Sequence, residues 1–323
     1  MGIFEIAHFL KPEELDEALR ADVSAGLTSE PKTLPPKWFY DDRGSELFTE
    51  ITRLEEYYPT RRERAILAAR AGEIASVTGA RTLVELGAGS GEKTRLLLDA
   101  LDLETYVPVD VSDDYLLEAA EKIAAEYPEL DVRPVAADYE RHLSRIPGGP
   151  RKLVAFLGGT VGNMVPRERH RFLSAVRATL GPEDGLLLGA DLVKDEKRLV
   201  RAYDDGQGVT AEFNRNVLRV INARLDADFV PEAFDHVAVW NAEDEWIEMR
   251  LRSRGRQEVR VGALDLTVRF ADAEEMRTEI SAKFRPERLE SELEAAGYTL
   301  AEFWTDPDGD FSLTLARPQK DHD

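Results

Sequence analysis

Apolar positions along this chain fall into short, nearly unbroken runs separated by amphipathic stretches, the pattern of parallel strands buried on both faces and covered by helices. The clearest run is Thr82, Leu83, Val84 and Leu86 with one acid, Glu85, inside it. Glycines come next at alternate positions, Gly87, Gly89 and Gly91, and then a helix-like stretch, 94–101. Further runs at 105–112, 131–139, 152–156 and 185–193 predict strands two to five. Residues 12–27 read as a helix, with Leu15, Ala18, Leu19, Val23 and Leu27 at helical spacing and Gly26 ending it. Residues 61–78 read as an amphipathic helix leading into the first strand. A helix over 285–297, a strand over 298–305, a tight turn DPDGD and a returning strand over 311–318 close the pattern.

The pattern changes character twice. Between Pro31 and Glu63, prolines and a dense aromatic set (Trp38, Phe39, Tyr40, Phe48, Tyr57, Tyr58) surround a short helix near 44–54. Such aromatics either pack a loop down or wall a pocket, and both readings stay open. Residues 196–283 open with two helices joined at Gly206, continue as an alternating, antiparallel-looking meander and end in EEMRTEISAKF. The expected organisation is therefore an α/β, doubly wound domain from 60–195 and 284–323, and a second α+β domain over the cofactor site from 8–59 and 196–283.

Composition narrows the partners. Across 323 residues, 42 basic side chains face 63 acidic ones, a formal charge of -21 that repels nucleic acid and anionic membrane surfaces. There is no cysteine, which excludes disulfides, thiolate metal sites and cysteine nucleophiles. His8, His142, His170, His236 and His322 are scattered without ligand spacing, so no metal is expected. No run approaches the roughly 20 apolar residues of a membrane helix, and a cytoplasmic monomer acting on a small molecule is the expectation.

The glycine loop is the candidate chemistry. A strand, a glycine turn and a helix form the first unit of a nucleotide-type cofactor fold, although the same turn could merely connect the two elements. The dinucleotide fingerprint G-x-G-x-x-G is broken by Glu92. Glu85 would oppose a pyrophosphate and suit an ammonium or sulfonium, which favours S-adenosylmethionine. Asp110, 19 residues past Gly91 at the end of strand two, would take the ribose hydroxyls. Asp138 and Tyr139 end strand three, where an adenine would sit. Asn163, after two glycines beyond strand four, faces the cleft that such folds form. The terminal hairpin is the usual ending of the class I (Rossmann-like) methyltransferase fold, whereas a nicotinamide dehydrogenase usually continues with a parallel strand.

These motifs, with PPKWFYD, SELFTEITRLEEYYPTR, LVELGAGSGEKTR, FLGGTVGN, DLVKD, RLVRAYDD, FNRNVL, EMRTEISAKFRPE and WTDPDGDFSL, resemble the histidine-specific S-adenosylmethionine-dependent methyltransferases over about residues 10–317. The resemblance implies trimethylation of the α-amine of L-histidine to hercynine in ergothioneine biosynthesis. It implies that Gly87 and Lys93 hold the methionine end of the cofactor, Asp110 its ribose, and Asp138 and Tyr139 its adenine. It further implies that Asn163 and Tyr203 hold the substrate carboxylate, that Gly158 and Tyr40 lie near the amine, and that Tyr57, Glu279 and Ser281 read the imidazole. Tyr40 and Asn163 are the expected catalytic positions, Tyr40 assisting proton removal, and Tyr40 and Phe48 would face the growing positive charge with their rings. Composition alone would make Glu279, beside Glu274 and Glu275, a solvated face, and Tyr203 a helix surface residue. A sister enzyme acting on a tryptophan derivative would find no acceptor use for Glu279 with Ser281, since an indole offers one donor and no acceptor.

Overall fold

The computed structural model describes residues 6–9, 12–89, 91–111 and 113–320. Contacts divide the chain into two units: 1–11, 59–193 and 284–323 form the first, 12–58 and 194–283 the second.

In chain order, β1 (Ala7–His8) precedes α1 (Pro12–Thr28), α2 (Asp42–Ile51) and α3 (Pro59–Thr78). Then come β2 (Thr82–Leu86), α4 (Thr94–Leu98), β3 (Thr105–Asp110), α5 (Asp113–Glu126), β4 (Asp131–Val132), β5 (Val135–Ala136), α6 (Tyr139–His142), β6 (Lys152–Phe156), α7 (Pro166–Ala178) and β7 (Gly185–Asp191). The second unit continues with α8 (Glu196–Tyr203), α9 (Val209–Leu225), β8 (Phe234–Asn241), β9 (Trp246–Ser253), β10 (Gln257–Val261), β11 (Leu266–Phe270) and β12 (Glu275–Ala282). The chain returns to the first unit with α10 (Pro286–Ala295), β13 (Tyr298–Thr305) and β14 (Phe311–Pro318).

The first unit is built on one sheet in the order β1-β5-β3-β2-β6-β7-β14-β13, with β4 also paired to β3. The pairs from β1 to β7 are parallel, and β14 joins β7 and β13 antiparallel. This is the Rossmann-like class I methyltransferase fold with its terminal hairpin. β2 and β7 are buried along their whole length, which is why their sequences run apolar without alternation. The hairpin turn is tied by Asp306, whose carboxylate accepts the backbone N–H groups of Asp308, Asp310 and Phe311.

In the second unit β8, β9 and β12 form an antiparallel sheet and β10 and β11 a separate hairpin. Its core joins Leu19, Val23 and Leu27 of α1 to Leu47 and Ile51 of α2, Phe213 and Val217 of α9, and Met249 and Leu251 of β9. Among the described residues no helix is long and apolar enough to cross a membrane.

Several sequence expectations shift. Gly26 lies inside α1 instead of ending it: a Cβ there would stand 2.0 Å from the Thr33 carbonyl oxygen, so the glycine admits the returning chain, whose Thr33 N–H bonds the Gly26 carbonyl at 3.0 Å. Strand two stops at Asp110, and Ser112 lies outside the described residues, as does His322. Strand three is broken into two dipeptides around Pro134, which has no N–H for a ladder. His8, expected in the second domain, pairs in β1 with Ala136 of the large sheet.

Candidate functional site

In the first unit the parallel register of β2 on β3 opposes Leu86 to Val109, so the glycine loop leaves the sheet beside Asp110. The Val109 carbonyl accepts the N–H groups of Gly87 and Ala88 at 2.8 and 3.2 Å. The Asp110 carboxylate accepts from Gly89 N–H at 3.2 Å with one oxygen and from Val111 N–H at 2.8 Å with the other. Gly87 and Gly89 have φ of +74° and +52°, and a Cβ on either would meet no atom within 4 Å. A backbone bent away from side chains, open on its outer side and bordered by a carboxylate suits a ligand carrying vicinal hydroxyls. The residues present therefore fit an adenosyl cofactor.

Glu85 is not a ligand-facing acid, contrary to the sequence expectation. It is buried, and its carboxylate accepts from the hydroxyls of Thr94 and Tyr106, both at 2.7 Å. Burial pushes its pKa up to about 7 against those two hydrogen bonds. The residue that organises the cation is Glu63, which the motifs do not single out. Glu63 is fully buried; one oxygen pairs with Lys93 Nζ and the other accepts Gly158 N–H at 2.7 Å. Gly189 on β7 makes room for it, since a Cβ there would lie 2.1 Å from the Glu63 carboxylate. The sequence does carry a signal for it, because Glu63 shares one helical stripe of α3 with buried Ile66, Leu67 and Ile74.

Asp138 precedes α6, where its carbonyl accepts from Arg141 and His142 N–H groups. The Tyr139 ring meets Phe156 and Phe172 edge-on at 5.4 and 5.8 Å. Asn163 ends the 3-10 turn Thr160–Asn163 that comes after Gly158 and Gly159, both at positive φ. Among the described residues, the carboxylates of Asp306, Asp308 and Asp310 lie within 4.8 Å of one another, and Arg62 pairs with all three.

In the second unit, Tyr203 is the last residue of α8 and is buried, not a helix surface residue. Glu279 and Ser281 are buried on β12, so the acidic run at 274–279 is no solvated face at its end. A bulge between Arg277 and Glu279 resets the pairing, and from there Glu279 opposes Met249 and Ser281 opposes Ile247, on one side of the strand. The Tyr203 hydroxyl lies 2.7 Å from Ser281 Oγ. Lys283, which lies in the EMRTEISAKFRPE stretch but is given no role by the sequence, is fully buried and donates to both, at 2.8 Å and 2.9 Å.

Rings continue from this group. Tyr57 meets Tyr203 at 6.2 Å and Phe48 at 6.1 Å; Tyr40 meets Phe48 at 5.6 Å and Phe213 at 5.5 Å, all edge-on. Of the two readings left open for the aromatic segment, the rings do pack, yet Tyr40 remains 39% exposed. Phe213 of α9, the first residue of the FNRNVL motif, joins them. Behind Tyr203 a polar relay fixes the helix end. Thr278 Oγ1 donates to Asn214 Oδ1 at 2.6 Å, which leaves the Asn214 amide nitrogen to donate to the Arg250 carbonyl at 3.1 Å and to His236 Nδ1 at 2.8 Å. His236 is thereby the Nε2–H tautomer and donates to the Tyr203 carbonyl at 2.7 Å. Burial holds its pKa below the ordinary histidine value.

Comparison with known proteins gives the family. The family described as "Histidine-specific methyltransferase, SAM-dependent" matches residues 19–318. The chain is 56% identical over 315 residues to histidine N-alpha-methyltransferases of Mycolicibacterium smegmatis and of Mycobacterium tuberculosis, covering 96% of this chain and 98% of each of them. It is 34% identical over 201 residues to the Neurospora crassa "Ergothioneine biosynthesis protein 1", covering 59% of this chain and 23% of that one.

Proposed function

Because the chain belongs to the histidine-specific, S-adenosylmethionine-dependent methyltransferases, we propose that it methylates the α-amine of free L-histidine three times in succession, giving hercynine for ergothioneine biosynthesis. The observation that carries the substrate assignment is the buried polar group of Glu279, Ser281 and Tyr203 in the second unit. An imidazole both donates and accepts, and a buried carboxylate and hydroxyl on one strand face satisfy both needs. An apolar side chain would offer these groups neither a donor nor an acceptor, and so gains nothing for the water it displaces.

Bound S-adenosylmethionine supplies an electrophilic methyl group on a sulfonium. Gly87 and Lys93 hold its methionine end, Asp110 its ribose, and Asp138 and Tyr139 its adenine. Lys93 has three donors, so its pairing with Glu63 leaves capacity for a ligand carboxylate. Asn163 and Tyr203 take the substrate carboxylate, Gly158 and Tyr40 border the amine, and Tyr57 closes on the imidazole. Catalysis is then mainly positioning, because an in-line transfer needs nucleophile, carbon and sulfur in a row. The amine must lose its proton before each transfer; the Tyr40 hydroxyl assists this, and the rings of Tyr40 and Phe48 stabilise the charge that accumulates. The protein is read as a cytoplasmic monomer, and its charge of -21 argues against a nucleic-acid or anionic-membrane partner.

Calorimetric titration with histidine, with and without S-adenosylhomocysteine, then mass spectrometry of a turnover, tests the proposal. Histidine binding and a product heavier by three methyl groups are expected. Binding of S-adenosylhomocysteine without binding of histidine would overturn the substrate and direct the search to tryptophan and tyrosine.

A further inference from the structure

Glu275, Arg277 and Glu279 occupy alternate positions of β12, and in an unbroken strand all three would point to one side. Glu275 opposes Arg252 and pairs with it and with Arg250, on the charged face of the sheet. Met276 opposes Leu251 on the other face, in the core. Past Arg277 the register slips by one residue, and Glu279 and Ser281 take the core face opposite Met249 and Ile247. A slip of one residue is what exchanges the two faces of a strand. The extra residue of this bulge is Thr278, which is fully buried. Its hydroxyl proton is shared between Asn214 Oδ1 at 2.6 Å and the Met249 carbonyl at 3.1 Å, and the Asn214 amide donates to the next carbonyl, that of Arg250, at 3.1 Å. Asn214 belongs to α9 and is itself fully buried, so the bulge is fastened both to β9 and to a helix of the same core. A buried acceptor left unmade is costly, which gives this hydroxyl a hold on the backbone that an apolar side chain lacks.

We propose that Thr278 is a positioning residue for recognition of the imidazole. Its hydroxyl fixes the bulge that turns Glu279 and Ser281 away from the arginines of the charged face and onto the buried face of the strand. The proposal rests on the reading of Glu279 and Ser281 as imidazole contacts. It adds that their direction is set by a threonine that does not itself touch the substrate, through one irregularity of the backbone.

The test is a double-mutant cycle of Thr278→Val and Glu279→Gln, read as histidine affinity in the presence of S-adenosylhomocysteine. Thr278→Val keeps the branched shape and removes only the hydroxyl. Histidine should bind it about tenfold more weakly, while S-adenosylhomocysteine affinity is unchanged. If the hydroxyl acts through Glu279, the same substitution made in Glu279→Gln should cost less than about threefold. Thr278→Ser, which restores the hydroxyl, should stay within about threefold of the wild type. An equal loss in both backgrounds would overturn the proposal, since a threonine that only holds the fold weakens binding whatever stands at position 279. A parallel loss of S-adenosylhomocysteine affinity, or no loss in Thr278→Val, would overturn it too. Should Thr278→Val not fold, Thr278→Cys keeps a weak donor at the same place and is carried through the same cycle. Glu279→Gln alone separates the two readings. A loss of histidine affinity there with none in Thr278→Val would remove this inference alone; no loss in Glu279→Gln would remove the imidazole reading beneath it.

Discussion

Around the glycine loop of the first unit two buried acids, Glu63 and Glu85, meet hydroxyls, a backbone amide and one lysine; in the polar group of the second unit a buried lysine meets two hydroxyls. The acids lie on α3 and β2 and gather the segments at the ends of the parallel strands: the glycine loop, Lys93, Thr94 and Gly158. Parallel topology brings strand ends together by construction, so each acid needs only a correct position on its own element. Lys283 has no such guarantee. Tyr203, Asn214, His236, Thr278 and Ser281 must be brought together by the packing of α8 and α9 on the sheet of β8, β9 and β12. The first site is therefore sensitive to single positions on a fixed frame, and the second to the network as a whole.

The largest break in that comparison is expected at Asp110. Its two oxygens hold Gly89 and Val111 N–H groups, and two ribose hydroxyls would share them. Asp110→Ala should weaken S-adenosylhomocysteine binding at least about 100-fold, with histidine affinity in any residual ternary complex little altered. A loss of about tenfold or less would show that the loop backbone alone carries the cofactor. Glu63→Ala comes next. It strands the Lys93 ammonium and the Gly158 N–H together, and should cost about 3 kcal/mol in denaturant unfolding. Glu63→Gln, which keeps an acceptor for Gly158, should recover part of that; equal losses in the two variants would mean that volume matters there and charge does not.

The same contrast explains how much is legible in the sequence. The strand runs, the glycine loop and the terminal hairpin are contiguous patterns whose physics is local, and Asp110 comes from one strand's end. Glu63 is legible in principle as an acid on an apolar stripe. Lys283 sits just beyond Ser281 in the very stretch that carries the family resemblance, yet nothing in EISAKF says that its lysine is buried. Asn214 lies 64 residues from the Thr278 hydroxyl that it accepts, and His236 lies 33 from the Tyr203 carbonyl that it donates to. Pairings of that kind leave no periodicity to find. Gly26 is obscure for the same reason, because the neighbour that demands a glycine, the Thr33 carbonyl, comes close only once the chain has folded back.

Two titrations sharpen the comparison because they run in opposite directions. Glu85, raised to about 7 by burial, keeps its proton in the folded state where the unfolded chain, near 4.5, has lost it. Its contribution is full below pH 4.5 and is lost as pH rises through about 7. Glu85→Gln should remove that part of the slope, on the order of 1–3 kcal/mol between the two limits. Parallel wild-type and variant stability curves across this window would mean that Glu85 folds ionised, its charge balanced by Thr94, Tyr106 and the nearby Lys93.

His236 gives the smallest effect and the mirror image. Burial lowers its pKa, against the raising influence of the Tyr203 carbonyl and Asp204, and with Arg215 adding to the lowering. The unfolded chain, with a histidine near 6.5, takes up a proton before the folded state does. Stability from this residue is therefore complete above about pH 6.5 and declines as pH falls toward the lower folded value. Protonation would also place an N–H at Nδ1 against the Asn214 amide nitrogen 2.8 Å away, so the relay to Tyr203 breaks at the same step. His236→Gln, able to donate at one end and accept at the other, should cost less than about 1 kcal/mol at about pH 8 and flatten the decline below about pH 6.5. If histidine affinity in the wild type fell over the same range while the variant held its affinity, the α8 end would be set by this tautomer. If both fell together, protonation of the ligand or of another group would account for the loss, and the relay would be only structural.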